Sequence, residues 1–105
     1  MAFKSHTEAS ADRDTEGIIA YLAETLNAPR AASHFKESLR ACYTRLTDNP
    51  LIYPLCRDEV LAAKGIRLAP VMRYIVFYTV DEGKQIVQIH RILHGSMDYV
   101  RQEMN

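Results

Sequence analysis

The segment RILHGSMDY, residues 91–99, gathers side chains that can do chemistry near neutral pH. Arg91 can hold a phosphate or a carboxylate, and His94 can move a proton. Ser96 carries a hydroxyl, and Tyr99 can donate a hydrogen bond or stack on a base. Arg67 and Arg73 lie upstream and can add positive charge. Three readings are open: acid–base cleavage, docking on a partner, or a histidine that merely hydrogen-bonds to the turn at Gly95. Ser96 follows His94 closely, but the chain has no G-x-S-x-G elbow and no phosphate-cradling glycine loop. An ordinary hydrolase or nucleotide-binding enzyme is therefore not indicated. His90 and His94 stand about 13 Å apart at strand rise, too far to share one metal ion. Cys42 and Cys56 form no C-x-x-C pair, which argues against a zinc site or a disulfide framework. No metal and no cofactor is expected.

These residues need a strand to carry them. In QIVQIHRIL, strict alternation places Ile86, Gln88, His90, Ile92 and His94 on one face and Val87, Ile89, Arg91 and Leu93 on the other. Arg91 then lies among apolar neighbours and requires an acidic partner such as Asp14 or Glu16, or else points to a target. RYIVFYTV is a preceding strand, DEGK is the turn between them with Gly83 available for positive φ, and residues 65–71 form a third strand ending near Pro70. Arg67 and Arg73 fall on different strands and make, with Lys64, either a small positive patch or ordinary solvated charge.

Upstream the apolar period changes. Asp14 or Thr15 can cap a first helix, after which Ile18, Ile19, Leu22 and Leu26 form one stripe. NAPR breaks that pattern, and Pro29 suits the first turn of a second helix. Ala32, Phe35, Leu39, Cys42 and Leu46 give this helix its buried face, and TDNP ends it. LIYPLCRDEVLAAKG reads as a loop with one helical turn at DEVLAAK. The expected product is one domain, residues 1–105, in which a helical hairpin covers one face of an antiparallel sheet. AFKSH is a candidate extra strand. MDYVRQEMN is amphipathic through Met97, Val100 and Met104, and either closes the core or docks on a partner.

Composition narrows the function classes. The chain has 105 residues, 13 Lys plus Arg against 13 Asp plus Glu, and 48% hydrophobic residues. Zero formal charge counts against a general nucleic-acid coat, because neutralising phosphates supplies most of that affinity. The N-terminus lacks an apolar leader and no run is long enough to span a bilayer, so the expected location is cytoplasmic, with no membrane partner.

YIVFYTVDEG and IHRILHGSMD, together with the helical segment ASADRDTEGIIAYLAETLNAPRAASHF, resemble the RelE/ParE superfamily of toxins from bacterial type II toxin–antitoxin modules. The resemblance implies an α+β fold in the order β-α-α-β-β-β, with a helical hairpin on a small twisted antiparallel sheet whose first strand is N-terminal. AFKSH then becomes that strand. The resemblance also implies a cognate antitoxin as partner, a toxin–antitoxin hetero-oligomer, and a role in growth inhibition and plasmid stabilisation. RelE-like members cut mRNA in the ribosome with basic residues on strands and a C-terminal base or stacking residue; ParE-like members poison DNA gyrase. This chain has Ile75 where the ribonucleases commonly carry arginine, and HGSMD where they carry several basic residues. An isoleucine cannot counter the charge that develops on a phosphate during cleavage. The ending is closer to the ParE-like branch, which makes His94, Ser96, Met97, Asp98, Tyr99 and Arg101 candidate gyrase contacts with no catalytic residue. If the chain is instead a ribosome-dependent endoribonuclease, Arg67, Arg73, Arg91, His94 and Tyr99 are its candidates. A third alternative is a diverged member that binds antitoxin without being toxic.

Overall fold

The computed structural model describes residues 2–96. Strand β1 (Lys4–Thr7) leads into helix α1 (Ala9–Ala20), which passes into a π-helical turn at Tyr21–Thr25. Helix α2 (Pro29–Asp48) returns alongside. A short helix α3 (Glu59–Ala63) precedes the strands β2 (Arg67–Val71), β3 (Tyr74–Asp81) and β4 (Ile86–His94). The sheet order is β1-β4-β3-β2. This is the expected α+β architecture, and AFKSH does supply the first strand. β2, β3 and β4 are antiparallel, whereas β1 pairs with β4 in parallel.

Helix α2 follows its sequence pattern closely. Pro29 opens it, and Ala32, Phe35, Leu39, Cys42 and Leu46 are all buried against the sheet. They meet Val76, Tyr78, Val87, Ile89 and Ile92 in the main core. Burial also raises the Cys42 thiol pKa, the Arg45 guanidinium opposing this only in part. The first helix departs from expectation at both ends. It begins at Ala9, directly after β1, so Asp14 lies inside the helix and caps nothing. At the other end the π turn inserts an extra residue per turn and rotates the apolar stripe. Leu22 stays buried, but Leu26 is 51% exposed. Asn27, at φ 48°, then terminates the helix and turns the chain into α2.

The sheet was expected to bury one face only. YIVFY, however, is apolar on both faces of β3. Phe77 and Leu93 point away from α1 and α2 and pack with Cys56, Leu61 of α3 and Ile66. Two local details also differ from the sequence reading. The β3–β4 turn takes its positive φ at Gln85, not at Gly83, while Asp81 accepts a hydrogen bond from the Lys84 amide. Arg73 lies in the β2–β3 turn after Met72, not on a strand.

A β-bulge matters most for function. Tyr78 pairs with Ile89 and Phe77 with Arg91, which leaves His90 as the extra residue of β4. Strict alternation therefore fails beyond Ile89. Ile92, not Arg91, continues the buried face of Val87 and Ile89, and His90 and His94 end on opposite faces of the sheet.

Tyr78 is fully buried, and its hydroxyl donates to the Pro50 carbonyl at 2.8 Å. Burial pushes its pKa up to about 12. Above the ordinary phenol pKa near 10 the unfolded chain gives up this proton and the folded one keeps it, so stability falls as pH rises from about 10 toward 12. Urea titrations across that range are expected to show a loss on the order of 2 kcal/mol from this group. Tyr78→Phe is expected to make the fall shallower and to cost about 1 kcal/mol near pH 7.

Candidate functional site

The site is built where β1 stops. Its last pair is Thr7 with Ile89, so the β4 edge from His90 onward has no neighbouring strand. Helix α1 passes over that edge and supplies side chains in place of a strand. Ser10 Oγ donates to the His90 carbonyl at 2.8 Å. The Asp14 carboxylate accepts the Ile92 amide at 2.9 Å. The same carboxylate holds Arg91, with Nε at 2.7 Å and Nη2 at 3.1 Å. Both partners are largely shielded, at 16% and 15% side-chain exposure, so the pair is bidentate and only weakly screened. Of the two acidic partners weighed for Arg91, Asp14 is the one it binds.

His94 follows immediately. Its ring packs edge-on against Tyr74 at 5.4 Å, and Tyr74 packs in turn against Phe35 at 5.2 Å. Burial raises the Tyr74 phenol pKa, Tyr21 reinforcing the shift and Arg73 opposing it. The Ser96 amide donates to His94 Nδ1 at 3.1 Å, and Ser96 Oγ lies 2.7 Å from the same nitrogen. A backbone amide can only donate, so Nδ1 is the acceptor and the ring hydrogen is assigned to Nε2. Gly95 donates its amide to the Arg73 carbonyl at 2.8 Å, and a Cβ there would approach that oxygen to 3.3 Å. This close approach ties the end of β4 to the β2–β3 turn.

Two clefts of about 490 and 360 Å³ flank the His94 ring and share Tyr21, Tyr74 and His94 in their walls. The first extends along α1 past Gly17 and Ile18, the second toward Leu26 and Met72. Tyr21 (48%), Leu26 (51%) and Met72 (45%) are exposed around them. Large exposed apolar residues gathered beside a groove mark a surface that another molecule covers.

The sequence-derived candidates do not converge on one point. Arg67 donates to the Tyr53 carbonyl at 2.7 Å. It sits opposite Tyr78, whereas His94 sits opposite Tyr74, four residues earlier in β3. Arg91 is bound to Asp14. His94, Ser96 and the backbone of Arg73 do come together. Met97, Asp98, Tyr99 and Arg101 lie outside the described residues. Tyr21 and Met72 were missed as surface residues; an apolar side chain in the turn VMRY is the signal that could have found Met72. The polar group formed by Glu8, Thr79 and His90 was missed as well. Glu8 is distant in sequence and reaches the others through the parallel β1–β4 pair, and Thr79 meets His90 across the β3–β4 hairpin.

The model of the ParE toxin of type II toxin–antitoxin systems matches residues 7–99. The chain belongs to this family. It is similar in fold to the RelBE toxin–antitoxin complex of Mycobacterium tuberculosis, with 20% identity, TM-score 0.64, and 90% of this chain and 99% of that one covered. Similarity to the chromosomal ParDE system of P. aeruginosa gives TM-score 0.69 at 17% identity, over 89% of this chain and 96% of that one. A mutant of the E. coli toxin RelE in the free state gives TM-score 0.68 at 16% identity, over 99% and 95%. Comparison with curated proteins finds no sequence match. At these identities the structural likeness establishes the RelE/ParE fold, and the family match makes the chain a toxin of a type II toxin–antitoxin system. No helix among the described residues is long and apolar enough to cross a membrane.

The toxin's Asp14–Arg91 clamp makes a direct prediction about stability. Asp14→Ala removes the carboxylate from a shielded guanidinium and from the Ile92 amide, and is expected to cost about 3 kcal/mol in urea unfolding. Replacing both partners together, as Asp14→Leu with Arg91→Met, is expected to recover most of that loss.

Proposed function

We propose that this toxin poisons DNA gyrase by docking the surface around His94 on it, and that a cognate antitoxin silences it by covering exposed apolar surface on the helical hairpin. The observation that carries this reading is the commitment of Arg91. A cleaving site needs cations aimed at the phosphate that accumulates charge, and here the Arg91 guanidinium is held by a carboxylate. Arg67 is spent on a backbone carbonyl, and Ile75 offers no donor. The clefts beside His94 are walled mainly by apolar and aromatic residues, with Arg13 and Arg73 at their margins, which suits a protein partner: interface cores are enriched in Tyr, Met, Arg and other large groups.

On this reading His94 and Ser96 belong to the contact surface, with Met97, Asp98, Tyr99 and Arg101 extending it along the chain. Tyr21 and Leu26 lie on the helical hairpin and also border the His94 clefts. An antitoxin segment laid against them competes with the target for one surface, so neutralisation needs no conformational change in the toxin. Sustained growth inhibition unless antitoxin is present would make such a module stabilise a plasmid that carries it.

Purified toxin mixed with gyrase, supercoiled plasmid and ATP is expected to trap linear DNA in a gyrase-dependent manner. Absence of linear product at saturating toxin contradicts the reading. Gly17 lines the groove, and a Cβ added there meets nothing within 4 Å. Gly17→Gln is therefore expected to leave the fold at least as stable, since glycine inside a helix is unfavourable by up to about 1 kcal/mol. The same change is expected to weaken poisoning at least about tenfold, a difference of about 1.4 kcal/mol.

A further inference from the structure

On the face of the sheet opposite His94, three side chains that no reading so far has used stand in line. Thr79 Oγ1 is 2.8 Å from His90 Nε2. His90 Nδ1 is 3.1 Å from Glu8 Oε1. The far oxygen of Glu8 accepts from Gln88 Nε2 at 3.3 Å, and Gln88 is itself held against His6 at 2.8 Å. A carboxylate only accepts, so Glu8 places the imidazole hydrogen on Nδ1 and leaves Nε2 to accept from the threonine hydroxyl. That is the tautomer in which an imidazole can take a hydroxyl proton. Gln88 pairs with Thr79, so two residues on along β4 the His90 ring reaches the same face as the threonine.

These three residues border a cleft of about 670 Å³ with Lys64, Ile66, Val80, Asp81 and Glu82 also in its wall. We propose that the cleft is a second, acyl-transfer site, with Thr79 as nucleophile, His90 as general base and Glu8 as the residue that positions the imidazole. Mutual geometry of hydroxyl, base and orienting carboxylate within hydrogen-bond reach is the arrangement that activates a weak nucleophile. Arg91 also borders the cleft but is held by Asp14, so the carboxylates of Glu8, Asp81 and Glu82 still disfavour an anionic acyl donor, while Ile66 offers an apolar wall. The substrate class is therefore a small, uncharged carboxylic ester.

Thr79 Oγ1 attacks the ester carbonyl carbon as its proton passes to His90 Nε2. The bond to the leaving alcohol then breaks and that alcohol takes the proton from Nε2. Water, giving a proton to the same nitrogen, attacks the threonyl ester, and the released threonine oxygen takes that proton back as the acid departs.

The test uses the full chain and p-nitrophenyl acetate. The expected result is release of nitrophenolate with an acetyl group located on Thr79 by fragment mass spectrometry. Thr79→Ser should stay within about tenfold of the parent, whereas Thr79→Val and His90→Gln should each lose at least about 100-fold. Glu8→Gln should lower the acylation rate constant while leaving the ester concentration at half-saturation unchanged, a split that a merely structural role would not produce. Acetyl groups found only on lysines or the N-terminal amine overturn the proposal. Parent-like turnover by a cooperatively melting Thr79→Val protein overturns it too. Should Thr79→Val fail to fold, the position of the acetyl group and the activity of Thr79→Ser still decide.

Discussion

One carboxylate determines how the two layers of this toxin meet. Asp14 takes the Ile92 amide and two nitrogens of Arg91 at once. Without it the β4 edge beyond β1 exposes backbone donors beside a helix, a costly arrangement for partly buried groups. With it, α1 lies along the edge as a strand would. The clamp fixes the helix close to His94 and so creates the groove between Gly17, Tyr21 and Tyr74. Ser10 extends the same device one turn earlier, through the His90 carbonyl. Sheet edges are sites of unwanted pairing, and covering one with a helix is a recognised remedy.

The clamp also separates two kinds of surface. Beyond it, at the end of β4, the groove around His94 is mainly apolar and aromatic, with Arg13 and Arg73 at its margins. Behind it, across the bulge, Glu8, His90 and Thr79 form a polar line on the other face. A single extra residue in β4 sends its two histidines to these opposite sides. In the proposed account the first surface engages macromolecular partners and the second offers room for a small molecule.

How much of this was legible in the sequence depends on the range of the interactions involved. The α2 stripe from Ala32 to Leu46 was readable in full, because helical period and burial agree there. The three C-terminal strands and the turn at DEGK were readable from β-branched and aromatic runs. Asp14 was weighed as a partner of Arg91 from chemistry alone, since a guanidinium among apolar residues needs an anion. The bulge at His90 was not readable: period-two counting has no local signal for an inserted residue, so the faces of Arg91, Ile92 and Leu93 came out exchanged. The π turn at Tyr21–Thr25 hid the exposure of Leu26 for the same reason. The second core, on the far face of the sheet, was missed because YIVFY reads as one strand, with no indication of what would cover that face. The Glu8–His90 contact depends on register between segments far apart in the chain, which no single-sequence pattern reveals, and Thr79–His90 depends on the exact register of the β3–β4 hairpin.

The most direct test of the central claim is amide hydrogen exchange at Ile92, followed by NMR. If Asp14 completes the β4 edge, the Ile92 amide exchanges as slowly as the paired amides of the β4 interior, and Asp14→Ala accelerates it selectively. Fast exchange at Ile92 in the parent protein, at a rate typical of an uncovered sheet edge, would contradict the account.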